Sequence, residues 1–242
     1  MNDAVRSSSP RLEFRLRGRE MNRIEAVSDV VFGFALTLLV VSGQVPRTYA
    51  ELLDAMRAFP AFALTFALLM VVWVRHYYFF RYYGLDDLGT IVLNTLLLFV
   101  VLFYVYPLKF LFTEWLSPIT GRASGAPAMM ESVDSRGLMI IFGSGFVAVY
   151  LAFAALLVHA YRIRDSLGLN PYEIAYTQNA IGAQLVNALV GALSIATTFL
   201  FPREAAGRAG YIYLLVPLFQ NVHARLWDRR RRAIESAMRA LA

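Results

Sequence analysis

The chain has 242 residues, of which 58% are hydrophobic and only 17% are charged, a balance too apolar for an ordinary soluble domain. It contains no cysteine, which excludes disulfides, thiolate metal sites and cysteine nucleophiles. The net charge of +6 comes mainly from arginines that flank apolar segments, a pattern typical of membrane topology rather than of nucleic-acid binding. The composition therefore predicts an all-α integral membrane protein.

The lead, residues 1–22, carries several arginines and a Ser-Ser-Ser-Pro run. It predicts a cytoplasmic N-terminal arm that is mobile or lies along the membrane interface. We do not interpret it as a cleaved signal peptide, because no small-residue cleavage site follows a short apolar core. The first span is predicted at 26–45, where Ser28 and Asp29 stand at the start of an uncharged run. An acidic group at such a depth is costly in lipid, which makes it a functional candidate.

Five further apolar segments complete a prediction of six membrane spans. The connection 109–136 is rich in Gly, Ser and Pro and predicts an exposed loop with a short amphipathic helix. The predicted later spans are 58–80, Leu88–Leu108, Leu138–Val158, Ile174–Pro202 and Ala209–Ala224.

Six spans place both termini on one side of the membrane. Most of the 23 basic residues fall on that side, so the positive-inside rule predicts that both termini are cytoplasmic. The predicted organisation is the arm 1–22, a six-helix membrane domain 23–226 and a basic cytoplasmic tail 227–242. An arginine run in the tail predicts a topology anchor or a contact with anionic lipid headgroups. It consists of Arg229, Arg230, Arg231 and Arg232.

Two neighbouring stripes run along the first span, and Thr37 belongs to both. One is small and polar and consists of Ala26, Asp29, Gly33 and Thr37. The other consists of Phe34, Thr37, Leu38 and Val41. Small residues at this spacing favour close helix packing, whereas the same face in a pore gives apolar rings and one ring of hydroxyls.

Three short motifs carry a resemblance to a known family. The first is Arg23-x-x-x-Val27-Ser28-Asp29 followed by the ALTLLVV stretch, the second is Trp73-Val-Arg-His76, and the third is Asn94 with an LLLF run before Pro107. In this order they resemble bacterial relatives of the endolysosomal potassium channel, the transmembrane protein 175 family. The resemblance covers residues 23–108 by motif and the remainder by its six-span layout.

The resemblance implies a potassium channel of the cytoplasmic membrane in which four subunits place their first helices around a central pore. By distance from the Ser-Asp pair, Phe34 is expected to form the main constriction and Thr37 a hydroxyl ring that contributes to selectivity. Leu38 shares this face, and Val41 is expected to form a wider apolar layer. A tight apolar ring favours potassium because this larger ion gives up hydration water more easily than sodium does.

Two positions depart from the family pattern. Val27 replaces the Phe of the motif, and Phe34 is bulkier than the Leu or Ile usual at the constriction. Because four phenyl rings close a path more tightly, we expect a low basal conductance that depends on Phe34 moving aside.

The resemblance also implies a polar network at the cytoplasmic end of the first span. Its expected members are Arg23, Ser28, Asp29, Trp73, His76 and Asn94. An unpaired carboxylate at that depth would take up a proton, so Asp29 needs such partners. The sequence leaves open a structural role or direct ion contact for Asp29, and a structural role or a pH switch for His76. The scattered His residues, without a carboxylate cluster, do not predict a metal site.

The fifth span has its own polar face at heptad spacing. It consists of Thr177, Ala180, Gln184, Asn187, Gly191, Ser194 and Thr198. Such a face favours a helix-packing seam joined by hydrogen bonds, with a polar transport route as the alternative.

The sequence thus favours a homotetrameric channel with potassium as the permeant ion and no cofactor. A proton- or solute-coupled transporter and a non-conducting assembly protein are the alternatives. Enzymatic activity is not predicted, because no nucleophile, base and orienting group fall together and no phosphate-binding loop is present.

Overall fold

The structure is a computed structural model that describes residues 14–41, 45–120 and 134–240. Within these ranges all regular secondary structure is helical. Its α-helices are α1 Arg23–Val41, α2 Tyr49–Arg57, α3 Phe59–Tyr83, α4 Leu88–Thr120, α5 Ser135–Arg162, α6 Pro171–Thr197 and α7 Leu215–Ala240, and its 3₁₀ segments are Thr198–Leu200 and Arg203–Leu214.

Four helices of the described ranges are long and apolar enough to cross a membrane. They are Phe59–Tyr83, Leu88–Leu116, Ser135–Arg162 and Pro171–Leu200. The predicted all-α membrane class is therefore confirmed, while the count of six spans and the side of the termini stay predictions.

Local sequence explains where α3 begins and ends and where α6 begins. Pro60 lies in the first turn of α3, where a backbone N–H has no partner within the helix. Gly84 ends α3 at a φ of 60°, a left-handed conformation that favours glycine. At the start of α6, the Asn170 side chain accepts from the Glu173 N–H at 2.9 Å, and the Glu173 carboxylate accepts from the Asn170 N–H at 3.0 Å.

The helical core centres on α4, which packs against α1, α3 and α5, while α5 packs along α6. Leu39, Phe80, Leu97 and Leu156 from these elements are almost fully buried in one apolar cluster. Dense side-chain packing of this kind is what joins helices within a membrane, where lipid is as apolar as the side chains.

Helix α4 does not end at Leu108, the predicted end of the third span, but continues through Pro107 to Thr120. A proline removes one helical hydrogen bond, and the apolar residues beyond it still pack on neighbouring helices. Leu108 is buried, and the Lys109 ammonium donates to the backbone carbonyl of Leu39 on α1 at 3.0 Å. The first part of the predicted loop 109–136 is thus helical, and 121–133 lies outside the described residues.

The predicted polar link after the first span contains a helix, α2. Thr48 caps it by accepting from the Glu51 N–H at 3.2 Å, and all the residues of α2 lie outside the core. The Thr48-x-x-Glu51 spacing is the sequence signal for such a helix start.

The helix in the region of the last predicted span, Ala209–Ala224, begins later than the span does. Residues 209–214 belong to a 3₁₀ segment, and α7 begins at Leu215, with Pro217 in its first turn, where proline is tolerated. Helix α7 then continues to Ala240, so the basic tail predicted from residue 227 extends the same helix.

Residues 14–22, which we call the strap, pack against the helices. The Phe14 ring lies 4.7 Å from Tyr82, 5.4 Å from Tyr83 and 5.3 Å from Tyr176, measured between ring centroids. Mobility of the arm is therefore a wrong prediction for residues 14–22, while residues 1–13 lie outside the described residues.

Candidate functional site on the first helix

Helix α1 has one face inside the protein. Ser28, Phe32, Ala35 and Leu39 are each no more than 3% exposed, and they recur at intervals of three or four residues. This face packs against α3 and α4. One side of α1 is therefore held in place by other helices of the same chain.

The opposite face of α1 has no covering element in the described residues. Val30, Phe34 and Val27 are 72%, 55% and 60% exposed, and Thr37 is exposed beside them. The Thr37 hydroxyl donates to the Gly33 carbonyl at 2.9 Å, and a Cβ added at Gly33 would meet open space. An apolar face that spans most of a helix marks a surface for lipid or for another protein chain.

The other two residues predicted on this face differ from Phe34 and Thr37. Leu38 is half-buried, because it lies at the edge of the exposed face. Val41 is the last residue of α1, and its side chain lies outside the described residues. The residue that sequence reasoning missed is Val30, one turn before Phe34; the same four-residue spacing was the signal for it.

A chain of hydrogen bonds joins α1 to α3 and α4 inside the protein. His76 on α3 contacts Asn94 Oδ1 on α4 through Nε2 at 2.8 Å, and Asn94 Nδ2 donates to Ser28 Oγ at 2.9 Å. Ser28 in turn donates to the Ile24 carbonyl at 2.7 Å. Because the amide N–H of Asn94 donates to Ser28, Asn94 Oδ1 faces His76 and accepts a hydrogen bond from the N–H at His76 Nε2.

Aromatic rings enclose this chain. His76 is 2% exposed, and its ring centroid lies 5.4 Å from Phe32 and 4.7 Å from Phe80. Buried polar groups that are bonded to one another fix a single arrangement of the helices around them. These hydrogen bonds thus fix the depth and rotation of α1 relative to α3 and α4.

Asp29 belongs to a separate branch. Its Oδ1 accepts from Trp73 Nε1 at 2.8 Å, and the side chain is exposed. A groove of about 320 Å³ opens beside this pair, lined by Asp29, Phe32, Gly33, Leu36, Leu69, Met70 and Trp73. Arg23 is exposed and has no hydrogen bond or ion pair to the described residues. The structure thus joins Ser28, Asn94 and His76 in one group and Asp29 with Trp73 in another, and it leaves Arg23 outside both.

The polar face of α6 lies inside the fold. Thr177 pairs with the Tyr83 hydroxyl at 2.7 Å, and Gln184 Oε1 accepts from Arg75 at 3.2 Å. Asn187 Oδ1 accepts from Gln220 at 2.8 Å. These bonds make the face a seam between helices, as one of the two interpretations predicted.

The turn between α3 and α4 is joined to α5 through Asp87 and His159. Asp87 Oδ2 lies 2.8 Å from His159 Nε2, and Asp87 Oδ1 accepts from the Thr90 hydroxyl at 2.6 Å. Desolvation acts to raise the pKa of the Asp87 carboxyl, but the hydrogen bonds from Thr90 and His159 lower it below its ordinary value. Among the described residues, no group of His and acidic side chains has the makings of a metal site.

Comparisons with known proteins point to one family. The model of the endosomal/lysosomal potassium channel TMEM175 family matches residues 23–104. A protein of Marivirga tractuosa called a potassium channel is 39% identical over 234 residues, which cover 91% of this chain and 93% of that protein. A potassium channel of Streptomyces collinus is 28% identical over 200 residues, covering 73% of this chain and 90% of the relative.

Solved structures agree with these relatives. The crystal structure of a variant of the potassium channel MtTMEM175, in complex with a nanobody–MBP fusion protein, superposes with a TM-score of 0.79 at 37% identity. It covers 90% of this chain and 98% of that one. A lysosomal potassium-selective channel homologue from Chamaesiphon minutus gives a TM-score of 0.51 at 26% identity, covering 83% and 96%.

Proposed function

The chain belongs to the TMEM175 family of potassium channels, and we propose that four copies of it assemble around a central pore lined by α1. It is a multi-pass membrane channel and not an enzyme. Each subunit contributes six spans, with α1 and the region around α7 added to the four long apolar helices. Both termini lie in the cytoplasm, and the membrane is the cytoplasmic membrane of a bacterium.

The single observation that carries this proposal is that α1 has one buried face and one exposed apolar face. Its inner face is fixed by Phe32 and Ala35, whereas the face with Val30, Phe34 and Thr37 has no covering element in the described ranges. One helix cannot enclose an ion path, so a pore needs this face from several copies. Four-fold symmetry brings the exposed stripes to a common axis.

Side chains on the stripe divide the path into layers. Phe34 forms the narrowest ring, because its phenyl group is the largest on the exposed face. Thr37 follows, and since its hydroxyl proton is used by the Gly33 carbonyl, its oxygen lone pairs are left for a cation. Val30 and Val41 form wider apolar layers before and after, and the half-buried Leu38 lies beside the constriction rather than in it.

The polar network positions this stripe. Ser28 is buried and bonded to Asn94, so it holds the inner face of α1 against α4. Asp29 is fixed by Trp73 on α3. We assign both groups, with His76, a structural role and no direct contact with the ion. The closed seam of α6 gives no support to a coupled transport route through Gln184 and Asn187.

The middle of α7 presents a basic surface to anionic lipid headgroups. Arg230 is exposed and donates to Gln178 at 2.9 Å, which holds this part of α7 beside the first turns of α6. Exposed arginines beside a membrane domain favour anionic lipids. The proposed contacts are Arg229, Arg230, Arg231 and Arg232.

Removal of the proposed constriction tests the pore. In liposomes that contain the purified channel, we expect Phe34→Ala to raise potassium flux at least about tenfold, which corresponds to a barrier lowered by about 1.4 kcal/mol. Val71→Ala, which shortens an exposed side chain on α3, is the matched control and keeps wild-type flux. Equal flux through the Phe34→Ala and wild-type channels would exclude Phe34 from the constriction.

A further inference from the structure

Glu173, in the first turn of α6, is fully buried and binds the strap. Its Oε1 accepts from the Arg15 backbone N–H at 2.9 Å and from Arg17 Nη1 at 3.1 Å. Its Oε2 accepts from Arg17 Nη2 at 2.7 Å and from the Asn170 N–H at 3.0 Å. A carboxylate offers about four lone-pair sites, so every site of Glu173 is occupied.

Arg17 is saturated in the same way. Besides the two bonds to Glu173, its Nε donates to the Leu167 carbonyl at 3.0 Å and its Nη2 to the Gly168 carbonyl at 3.3 Å. Nη1 also donates to the Arg15 carbonyl at 3.3 Å. The five N–H groups of the guanidinium therefore meet five acceptors. Such a complete, bidentate arrangement is a specific socket for one side chain.

The backbone of the strap continues along α3. The N–H groups of Arg17 and Gly18 donate to the Arg81 carbonyl at 3.1 and 3.2 Å, and Arg81 Nη1 donates back to the Gly18 carbonyl at 2.6 Å. Gly18 is buried, and a Cβ at this position would collide with the Phe80 carbonyl oxygen. Only glycine allows the strap to lie this close to α3.

The strap ends as the N-terminal cap of α1. Asn22 Oδ1 accepts from the Glu25 N–H at 2.8 Å, and the Asn22 N–H donates to the Glu25 carboxylate at 3.2 Å. Asn22 Nδ2 also donates to the Leu85 carbonyl in the turn after α3, at 3.3 Å. Only residues 18–22 separate Arg17 from the start of α1, so a movement at Glu173 reaches α1 through a short, bonded segment.

We propose that Glu173 is a positioning residue for α1: through Arg17 and the strap, it holds the first turn of α1 toward α3 and α6 and so keeps the pore open. The proposal rests on the pore role assigned to α1. The strap contacts described above lie on α3, on α6 and on the turns beside them, on the side of α1 away from Phe34. Once the strap is released, α1 is free to move toward the Phe34 side, which narrows the path.

Single-channel recording in planar bilayers tests this role. Glu173→Gln replaces one acceptor oxygen with an NH₂ group that cannot accept from the strap. We expect the open probability to fall about fivefold, as for a modest coupling between linked sites, while the unitary conductance and the potassium-to-sodium permeability ratio keep their wild-type values. Asp165→Asn is the matched control, because this acid is exposed in the turn that precedes α6 and makes no contact with the strap.

A second variant releases the strap without altering Glu173. Gly18→Ala places a methyl group against the Phe80 carbonyl and is expected to lower the open probability as Glu173→Gln does. Gly207→Ala, where an added Cβ meets open space, is its control. If Glu173→Gln yields no folded channel, Gly18→Ala decides. A wild-type open probability in a folded strap variant, or a change in its permeability ratio, overturns the proposal.

Phe34→Ala in the same bilayers separates this inference from the proposed pore. An unchanged unitary conductance in that variant refutes the pore-lining role of α1, and with it the reason for the link. A raised unitary conductance in Phe34→Ala together with a wild-type open probability in Glu173→Gln refutes the link alone.

Discussion

Helices α1 and α6 both carry a stripe of small and polar residues at helical spacing. The α6 stripe faces neighbouring helices of the same chain, whereas the α1 stripe is exposed. On α6 the hydroxyl of Thr177 and the amides of Gln184 and Asn187 are buried and bonded to other helices. On α1 the hydroxyl of Thr37 is exposed and bonded only to its own helix. A polar stripe is therefore a packing element where a partner helix covers it and a candidate ion contact where none does.

The bulky residues beside each stripe account for the difference. The α6 stripe includes Gly191, against which Phe146 and Val147 of α5 lie closely, so two helices approach one another there. Beside the α1 stripe lie Phe34 and Val30, which project from the helix and keep a neighbouring backbone at a distance. Large side chains beside small ones are better suited to helices arranged in a ring around a pore axis than to a close interface between two helices.

The same substitution on each stripe sharpens this comparison, and Thr177→Val is expected to have the larger effect on stability. Thr177 donates to the Glu173 carbonyl, so the buried Tyr83 hydroxyl is the donor in the pair between them. Valine leaves that hydroxyl without an acceptor. We expect the free energy of unfolding to fall by about 1–3 kcal/mol, measured by denaturant titration of the detergent-solubilised channel.

The folded Thr177→Val channel should keep the wild-type potassium-to-sodium permeability ratio. A lower ratio with unchanged stability would mean that the α6 stripe contacts the ion, and the comparison between the two helices would then be reversed.

Thr37→Val is the matched change on the exposed stripe. Its free energy of unfolding is expected to stay within about 0.5 kcal/mol of wild type, because the hydroxyl is exposed and bonds only within α1. The permeability ratio of potassium over sodium is expected to fall by about two- to tenfold, since one hydrogen-bond-like contact contributes about 0.5–1.5 kcal/mol. Reversal potentials under bi-ionic conditions measure it. An unchanged ratio would remove Thr37 from the filter.

The sequence predicted which residues of α1 share a face, because that information is local. Spacing from Ser28 and Asp29 placed Phe34 and Thr37 on one face, and both are exposed on the same side of α1. The partners of Ser28 and Asp29 on α3 and α4 came from the family resemblance, and in the structure Asp29 accepts from Trp73 while Ser28 accepts from Asn94. Leu38 was harder to place, since a residue at the edge of a face is buried or exposed according to its neighbours.

The elements that sequence missed depend on contacts between distant segments. The helical continuation of α4 beyond Pro107 rests on packing that outweighs one lost hydrogen bond. For the arm that contains the strap, composition predicts mobility or a position along the membrane interface, because arginines and serines are typical of disorder. The order of the strap comes from Glu173, 156 residues away from Arg17, and nothing in the local composition indicates that pair.

The α3–α4 turn lies on neither stripe, and we expect the contact between Asp87 and His159 to contribute least to the stability of the protein. Because the fold lowers the pKa of Asp87, its carboxylate stabilises the protein above the ordinary value of 3.8, and this contribution is lost as the pH falls through the lower folded value. At pH 7, Asp87→Asn is expected to cost about 0.2–1 kcal/mol, as is usual for exposed pairs, and less in high salt. Asp86→Asn, the exposed neighbour, is the control. The difference in Tm between Asp87→Asn and wild type should vanish in acid, below the lowered pKa of Asp87; a difference that persists there would contradict the assigned charge state.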